Sequence, residues 1–289
     1  MSWLNAIIQG VLLGGLYALL AAGLSLMFGV MRIVNLAHGA LAVGAAYIGL
    51  VIIEATGVSP FLALIAVVPI MAGVGYLMQI GLFNRALSVG GLSPLLAAFG
   101  LSVVITQLLQ VKFSADQQSL QVGDLSIASI QITDQVSIGV LPLITFVVGV
   151  VVILALQIFL SKAPLGRAMR AASDDPLTVG LMGIDNRRVY ALAAAIAIGT
   201  VGIAGMFLGM RGNFDPGYGN VFLIFAFEAV IIGGLGSLWG TLAGGMVLGV
   251  AQALGAQINP SYGLLVGNLV FLIILAFRPT GLLPKAVNS

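Results

Sequence analysis

The sequence predicts an all-α integral membrane protein, a polytopic bundle of about eight to ten transmembrane helices. Three observations carry this. Apolar residues fill 60% of the 289 positions and charged ones only 7%, where a soluble domain carries about 25% charge. The apolar residues fall into runs of bilayer-spanning length. The remaining charge gathers in short connecting segments, above all 162–188. Nothing divides the chain, so 1–289 reads as one transmembrane domain.

The runs lie at 4–29, 33–53, 60–82, 92–111, 138–161, 189–209, 221–235, 240–257 and 262–277. The first has no Lys or Arg before Arg32. A cleaved signal peptide needs a basic leading region, so this run is expected to be retained as a span. The runs 221–235 and 262–277 are short for an upright crossing. They read as tilted, re-entrant or broken helices. With about nine crossings, Arg32, Arg85, the segment Lys162–Arg188, Arg278 and Lys285 share one side. Glu54 and the loop 113–136, with Asp116, Asp124 and Asp134, take the other. The positive-inside rule then places the N-terminus outside and the C-terminus in the cytoplasm.

Loop 113–136 alternates Leu120, Val122, Leu125, Ile127, Ile130 and Ile132 with polar residues around Gly123-Asp124. Such alternation predicts a small extracytoplasmic β-hairpin, serving as a lid over helix ends or as a docking surface. The chain has 39 glycines. Gly10/Gly14, Gly240/Gly244 and Gly245/Gly249 have the spacing that lets membrane helices approach closely. GGLYAL at 14–19 and GGLGSL at 233–238 hint at an internal duplication. The net charge of +2 gives no reason to expect nucleic acid, and the absence of Cys excludes disulfides and thiolate metal sites.

The polar insert reads PLGRAMRAASDDPLTVGLMGIDNRR from Pro164 to Arg188. Pro164 suits the first turn of a short helix that sets Arg167 and Arg170 on one face. Asp174-Asp175-Pro176 is a start signal for a second helix. That helix holds Leu177, Val179, Leu181 and Met182, and Gly183 is placed to end it. Asp185 or Asn186 then caps the next span. The second helix is too apolar to lie free in water. It must bury its face on its own protein, on lipid, or in a groove of another protein.

Four motifs carry a family resemblance. The insert has Gly166-Arg167-Ala168, Arg170-Ala171, Asp174-Asp175-Pro176, Gly180, Gly183 and Ile184. It resembles the cytoplasmic coupling loop of ABC importer permeases of the branched-chain amino acid (Liv) type. Asn35-Leu36-Ala37-His38-Gly39 is similar to that family's NxAHG signature, the run from Phe227 to Gly240 to its late glycine-rich block, and Arg278-Pro279-Thr280-Gly281-Leu282 to its RPxGL end. The motifs stand in the family's order over nearly the whole chain, and the short N-terminus favours the H-type subunit. The resemblance implies a permease for branched-chain or other hydrophobic amino acids, working by alternating access. Two cytoplasmic ATPases would grip the insert through Gly166, Arg167, Arg170, Asp174, Asp175, Pro176, Leu177, Leu181, Met182 and Gly183. A second, M-type permease and an external solute-binding protein would complete the machine. This chain has no GxxxxGK[ST] loop. It is therefore expected to be no enzyme and to hold no cofactor, ATP and Mg being on the partner ATPases. Urea permeases share much of the pattern, which leaves a permease for urea, short amides or another small solute as an alternative.

Polar residues within the runs are candidates for the translocation pathway or its gate. Asn35 and His38, three apart, could share one helix face near the cytoplasmic end, or else hydrogen-bond a neighbour and hold a bend at Gly39. Glu228 is open to a structural role, a pairing with Arg211, or the proton coupling of a secondary transporter. Phe207, Phe214, Tyr218, Phe222, Phe225 and Phe227 read as interfacial anchors, with Phe207 and Phe222 as gate candidates. A membrane enzyme finds no support in any Ser/His/Asp, paired-carboxylate or HExxH constellation.

Overall fold

Alanine, leucine and glycine in long uninterrupted runs make helices, and lipid leaves the backbone no other way to satisfy itself. A computed structural model describes residues 3–133 and 136–283. In chain order it has α1 (Trp3–Met31), α2 (His38–Thr56), α3 (Pro60–Met78), α4 (Asn84–Val89), α5 (Ser93–Phe113), β1 (Ser129–Thr133), β2 (Val136–Gly139), α6 (Val140–Lys162), α7 (Pro164–Asp174), α8 (Pro176–Leu181), α9 (Asn186–Arg211), α10 (Gly219–Gly233), α11 (Leu238–Ile258) and α12 (Tyr262–Phe277). Eight helical stretches of the described residues are long and apolar enough to span a bilayer, and α12 adds a shorter apolar helix. The chain is a multi-pass membrane protein.

The helix α1 defines the two ends of the bundle. Near its start, Gln9 Nε2 donates to the Ser137 carbonyl at 2.7 Å, so the β-hairpin sits at that end. Near its finish, Ser173 Oγ donates to the Gly29 carbonyl at 2.7 Å, which fixes the polar insert at the opposite end. Arg32, Arg85, the 162–188 segment and Arg278 gather at the insert end, where Asn84 Nδ2 meets the Arg187 carbonyl at 3.5 Å. Lys112 and Arg211 lie at the hairpin end. Asp134 and Lys285 lie outside the described residues.

The structure corrects three boundaries. The run 33–53 is not a single helix from its start: residues 32–37 form a non-helical leg, and α2 begins only at His38. His38 Nε2 donates to the Leu20 carbonyl at 2.7 Å, eleven residues before α1 ends, so the leg climbs back alongside α1 and α2 starts inside the bundle rather than at the insert end. Backbone of this kind is tolerated at membrane depth because protein covers it: Ile33, Asn35 and Ala37 are all buried. The run 60–82 extends to Val89 through a π-turn at Gln79–Phe83, where buried Gln79 donates to Asn84 Oδ1 at 3.0 Å. Arg85 therefore sits on a helix, not in a loop. The hairpin does not turn at Gly123-Asp124. Gly123–Ser126 form a 3₁₀ turn, and the antiparallel pair is β1 with β2. The reason lies upstream, where Leu120 N–H bonds the Gly209 carbonyl and Gln118 pairs with Phe214. The first half of the loop is thus committed to the end of α9 as a lid and cannot pair with a second strand.

Paired glycines set the closest contacts between helices of this chain. A Cβ on Gly14 would stand 2.5 Å from Met246 Cα, and one on Gly249 would stand 2.3 Å from the Gly10 carbonyl oxygen. The start of α10 meets the start of α2 equally closely, with Gly219 against Gly39 and Ala40. The pairings repeat in inverted sense. The helix α1 packs along α11 and α9 along α3, while α2 and α10 pack together. Each of α1 and α9 is followed by a short connecting segment, 32–37 and 212–218, the second holding a 3₁₀ turn at Pro216–Tyr218, and then by a helix that starts within the bundle. The repeat is thus α1–α3 with α9–α11, in the manner of inverted transporter repeats. GGLYAL and GGLGSL do not mark it: one lies inside α1, while the other spans the end of α10 and the turn into α11.

Candidate coupling and pathway sites

The insert is built from its caps. Pro164 occupies the first turn of α7, and Gly166 lets α7 fold back on α6, since a Cβ there would lie 2.2 Å from the Phe159 carbonyl oxygen. Met169, Ala172 and Ser173 form the buried face of α7. Arg167 donates to the Lys162 carbonyl at 2.8 Å and Arg170 to the Ser161 carbonyl at 3.4 Å. Both arginines therefore reach back to the end of α6. Asp174 closes α7. Asp175 then caps α8, accepting from the Leu177 and Thr178 amides at 3.1 Å each. Pro176 takes the first helical position, and Gly183, at φ 85°, ends the turn. Asn186 Nδ2 donates to the Pro176 carbonyl at 2.6 Å, and Asp185 caps α9.

The two faces of α8 differ sharply. Val179 is 5% exposed and anchors the helix, whereas Leu177, Leu181 and Met182 are 82%, 90% and 75% exposed. Three large apolar side chains, rigidly presented at one end of the bundle and flanked by charge, have the pattern of a helix made to enter a groove. The Thr178 hydroxyl, donating to Asp175, holds that carboxyl below the usual carboxylate range, with the two cap amides acting in the same direction. A lowered carboxylate pKa contributes helix stability above the ordinary carboxylate range and loses it as pH falls through the lowered value. Asp175→Ala is therefore expected to raise amide exchange at Leu177 and Thr178 several-fold at neutral pH. The wild-type chain should match it only once pH has fallen through that lowered value, with intrinsic exchange rates corrected.

The pathway candidates do not form one cluster. Asn35 and His38 are both fully buried but do not share a helix face, because Asn35 lies on the leg. Asn35 Oδ1 accepts from the Ala37 amide at 3.0 Å and its Nδ2 faces Met27 Sδ at 3.8 Å. These bonds hold the bend beside Gly39. Glu228 is 4% exposed on α10. Among the described residues it forms no ion pair with Arg211. On α1, the Tyr17 hydroxyl donates to Gln252 Oε1 at 2.5 Å. Sequence reasoning missed Tyr17 and Gln252, since one hydroxyl and one amide in separate apolar runs give no spacing signal. Phe207, Phe214 and Phe225 are buried within the protein, and Tyr218, Phe222 and Phe227 are partly buried. Phe207 packs edge-on to Phe61 with centroids 6.2 Å apart, Phe214 lies on Tyr47, and Phe225 on Tyr17. Phe222 pairs with Tyr218 at 5.8 Å. Phe207 also lines an apolar groove, open at the bundle surface, between α3, α6 and α9.

Comparison with known proteins gives consistent matches. Residues 6–275 match the family model described as branched-chain amino acid transport system / permease component. The Escherichia coli high-affinity branched-chain amino acid transport system permease protein LivH is 30% identical, over 98% of this chain and 96% of that one. Its Pseudomonas aeruginosa counterpart BraD is 29% identical over the same shares, 98% and 96%. The E. coli permease LivM matches 43% of this chain and 30% of its own length at 32% identity. Among solved structures, a chain of PsaBC from Streptococcus pneumoniae in complex with Fab shares the fold, with a TM-score of 0.50 at 16% identity over 97% of this chain and 93% of that one.

Proposed function

This chain belongs to the permease-component family of branched-chain amino acid transport systems, and from that premise we propose how it works. Residues 1–289 form one permease domain of an ABC importer for branched-chain or other hydrophobic amino acids. It carries no cofactor of its own. Two cytoplasmic ATPases, binding ATP and Mg, grip α8, and a second, M-type permease completes the path. An external binding protein delivers the solute over the hairpin end, where Ile127, Ile130 and Ile132 are 82%, 51% and 59% exposed.

The observation that carries this reading is the exposed trio Leu177, Leu181 and Met182 on a capped helix at the positively charged end of the bundle. An ATPase closing on ATP would pull α8. The pull passes through α7, which is bonded to α1 at Gly29 and to α9 by Tyr190 donating to the Ala172 carbonyl at 3.4 Å. These are the two long helices whose connecting segments lead into α2 and α10. Their movement shifts the α2–α10 junction at Gly39 and Gly219, where Asn35, His38 and Phe222 lie near the path. Phe207 braces α9 against Phe61 of α3, and Glu228 lies buried on α10.

Sidedness is the direct test. The chain has no Cys, so single cysteines report cleanly. In spheroplasts, Asn213→Cys is expected to react with an impermeant maleimide and Met182→Cys to resist it. Inside-out vesicles should reverse the pattern. Labelling of Met182→Cys from outside the cell would overturn ATPase coupling through this insert.

A further inference from the structure

Where the insert ends of α1, α6 and α11 meet the side of α7, a half-open pocket of about 300 Å³ is lined by Ser25, Gln157, Ser161, Arg170, Ser237 and Trp239 among others. Its chemistry is one-sided. Arg170 brings a full positive charge, and none of the lining residues is acidic. The 21-residue helix α11 opens at its edge, capped by Ser237, and the first N–H groups of a helix have no intrahelical acceptor. Ser25 Oγ, on a side chain 1% exposed, lines the pocket and has no partner. A buried hydroxyl without a partner is costly unless something fills the space before it. A guanidinium, a hydroxyl and a helix N-terminus together bind a phosphate group.

The surroundings say where the phosphate comes from. On the exposed side of α6, Val147, Val151, Leu154 and Ile158 are 50%, 56%, 43% and 46% exposed. Their spacing of four, three and four residues makes one continuous apolar stripe along the helix. It ends at Gln157 and Ser161, in the last turns before Lys162, which is the headgroup depth of a bilayer. Trp239, 43% exposed, stands at the same level, as interfacial tryptophans do. We propose that the pocket holds the headgroup phosphate of an anionic phospholipid from the leaflet on the insert side, with an acyl chain along the α6 stripe. The phosphate bonds Arg170 and thereby steadies α7, the helix that positions α8. This rests on the reading of α7–α8 as the coupling element only for its consequence, not for the site itself.

The chain has two tryptophans, Trp3 and Trp239, so Trp3→Phe leaves Trp239 as sole reporter. The full-length variant is placed in nanodiscs containing either brominated phosphatidylglycerol or brominated phosphatidylcholine at equal fraction. Quenching of Trp239 is expected to be at least about twofold greater with the anionic lipid. Arg170→Gln and Ser25→Ala should each remove most of that preference, while Arg170→Lys keeps it. Equal quenching by the two lipids, or a preference that survives both Arg170→Gln and Ser25→Ala, overturns the proposal. So does a response to millimolar inorganic phosphate, in discs free of anionic lipid, as large as the response to phosphatidylglycerol, because the pocket would then serve free phosphate. Maleimide labelling of Met182→Cys reports sidedness independently, so a failed orientation and a failed lipid site remain distinguishable.

Discussion

Leu181→Asp is expected to leave the chain inserted and folded and to abolish ATP-driven uptake. Leu181 is 90% exposed, so the folded bundle loses almost nothing when it changes. The helix that carries it is held by groups the substitution does not touch: the Asp175 cap, Pro176 at its start, buried Val179, and the bond from Asn186 to Pro176. In a partner's groove the balance reverses. Burying a leucine contributes about 2–3 kcal/mol. Its replacement must also desolvate a carboxylate without a partner, which costs several kcal/mol more. At about 1.4 kcal/mol per tenfold, ATPase docking should weaken by a thousandfold or more. Copurification of the ATPase and uptake in proteoliposomes measure this, with Leu181→Met as the control that should keep both. A Leu181→Asp transporter that retains its ATPase and transports at the normal rate would refute the assignment.

The insert was legible because its signals are local. Pro164, Asp175-Pro176, Gly183 and Asp185 each act through backbone groups within a few residues, and each does in the structure what its chemistry dictates. Nine apolar runs were legible for the same reason, since hydropathy depends on composition alone. The leg at 32–37 was not. Ile33, Leu36 and Ala37 are as apolar as a helix interior, and the sequence has no marker for a chain that turns back inside the bundle except Gly39, whose contact with Gly219 joins residues 180 apart. The hairpin was placed too early on similar grounds. Alternation at 120–132 is real, but Leu120 answers to Gly209, a partner no local pattern reveals. The Tyr17–Gln252 bond, across 235 residues, lies beyond any spacing rule. What escapes the sequence in this protein is long-range contact within lipid, where apolar residues on every side erase the inside-outside pattern that periodicity reads in water.

That same uniformity makes the glycines decisive, and Gly249→Leu tests it. The oily faces of two membrane helices gain little from leaving lipid for each other, so close packing has to hold them. The Gly249 face of α11 meets the Gly10–Gly14 face of α1 backbone to backbone. An added Cβ would stand 2.3 Å from the Gly10 oxygen and 2.6 Å from the Gly14 nitrogen. No rotamer relieves a clash with backbone, so the helices must part, and the neighbouring contact of Gly245 with Ala18 is strained with them. Overpacking costs of this kind run to about 3 kcal/mol or more. The expected result is at least a roughly tenfold fall in monodisperse protein from membranes, with the remainder unfolding at lower temperature or denaturant. Gly44→Ala supplies the contrast. It also lies in a helix, but nothing stands within 4 Å of its added Cβ. It should match or slightly exceed wild type, because alanine costs the chain less entropy than glycine in a helix. Equal yields from Gly249→Leu and Gly44→Ala would mean that α1 and α11 do not meet through these glycines. The inverted pairing of α1 with α11 and α9 with α3 would then lose its principal contact.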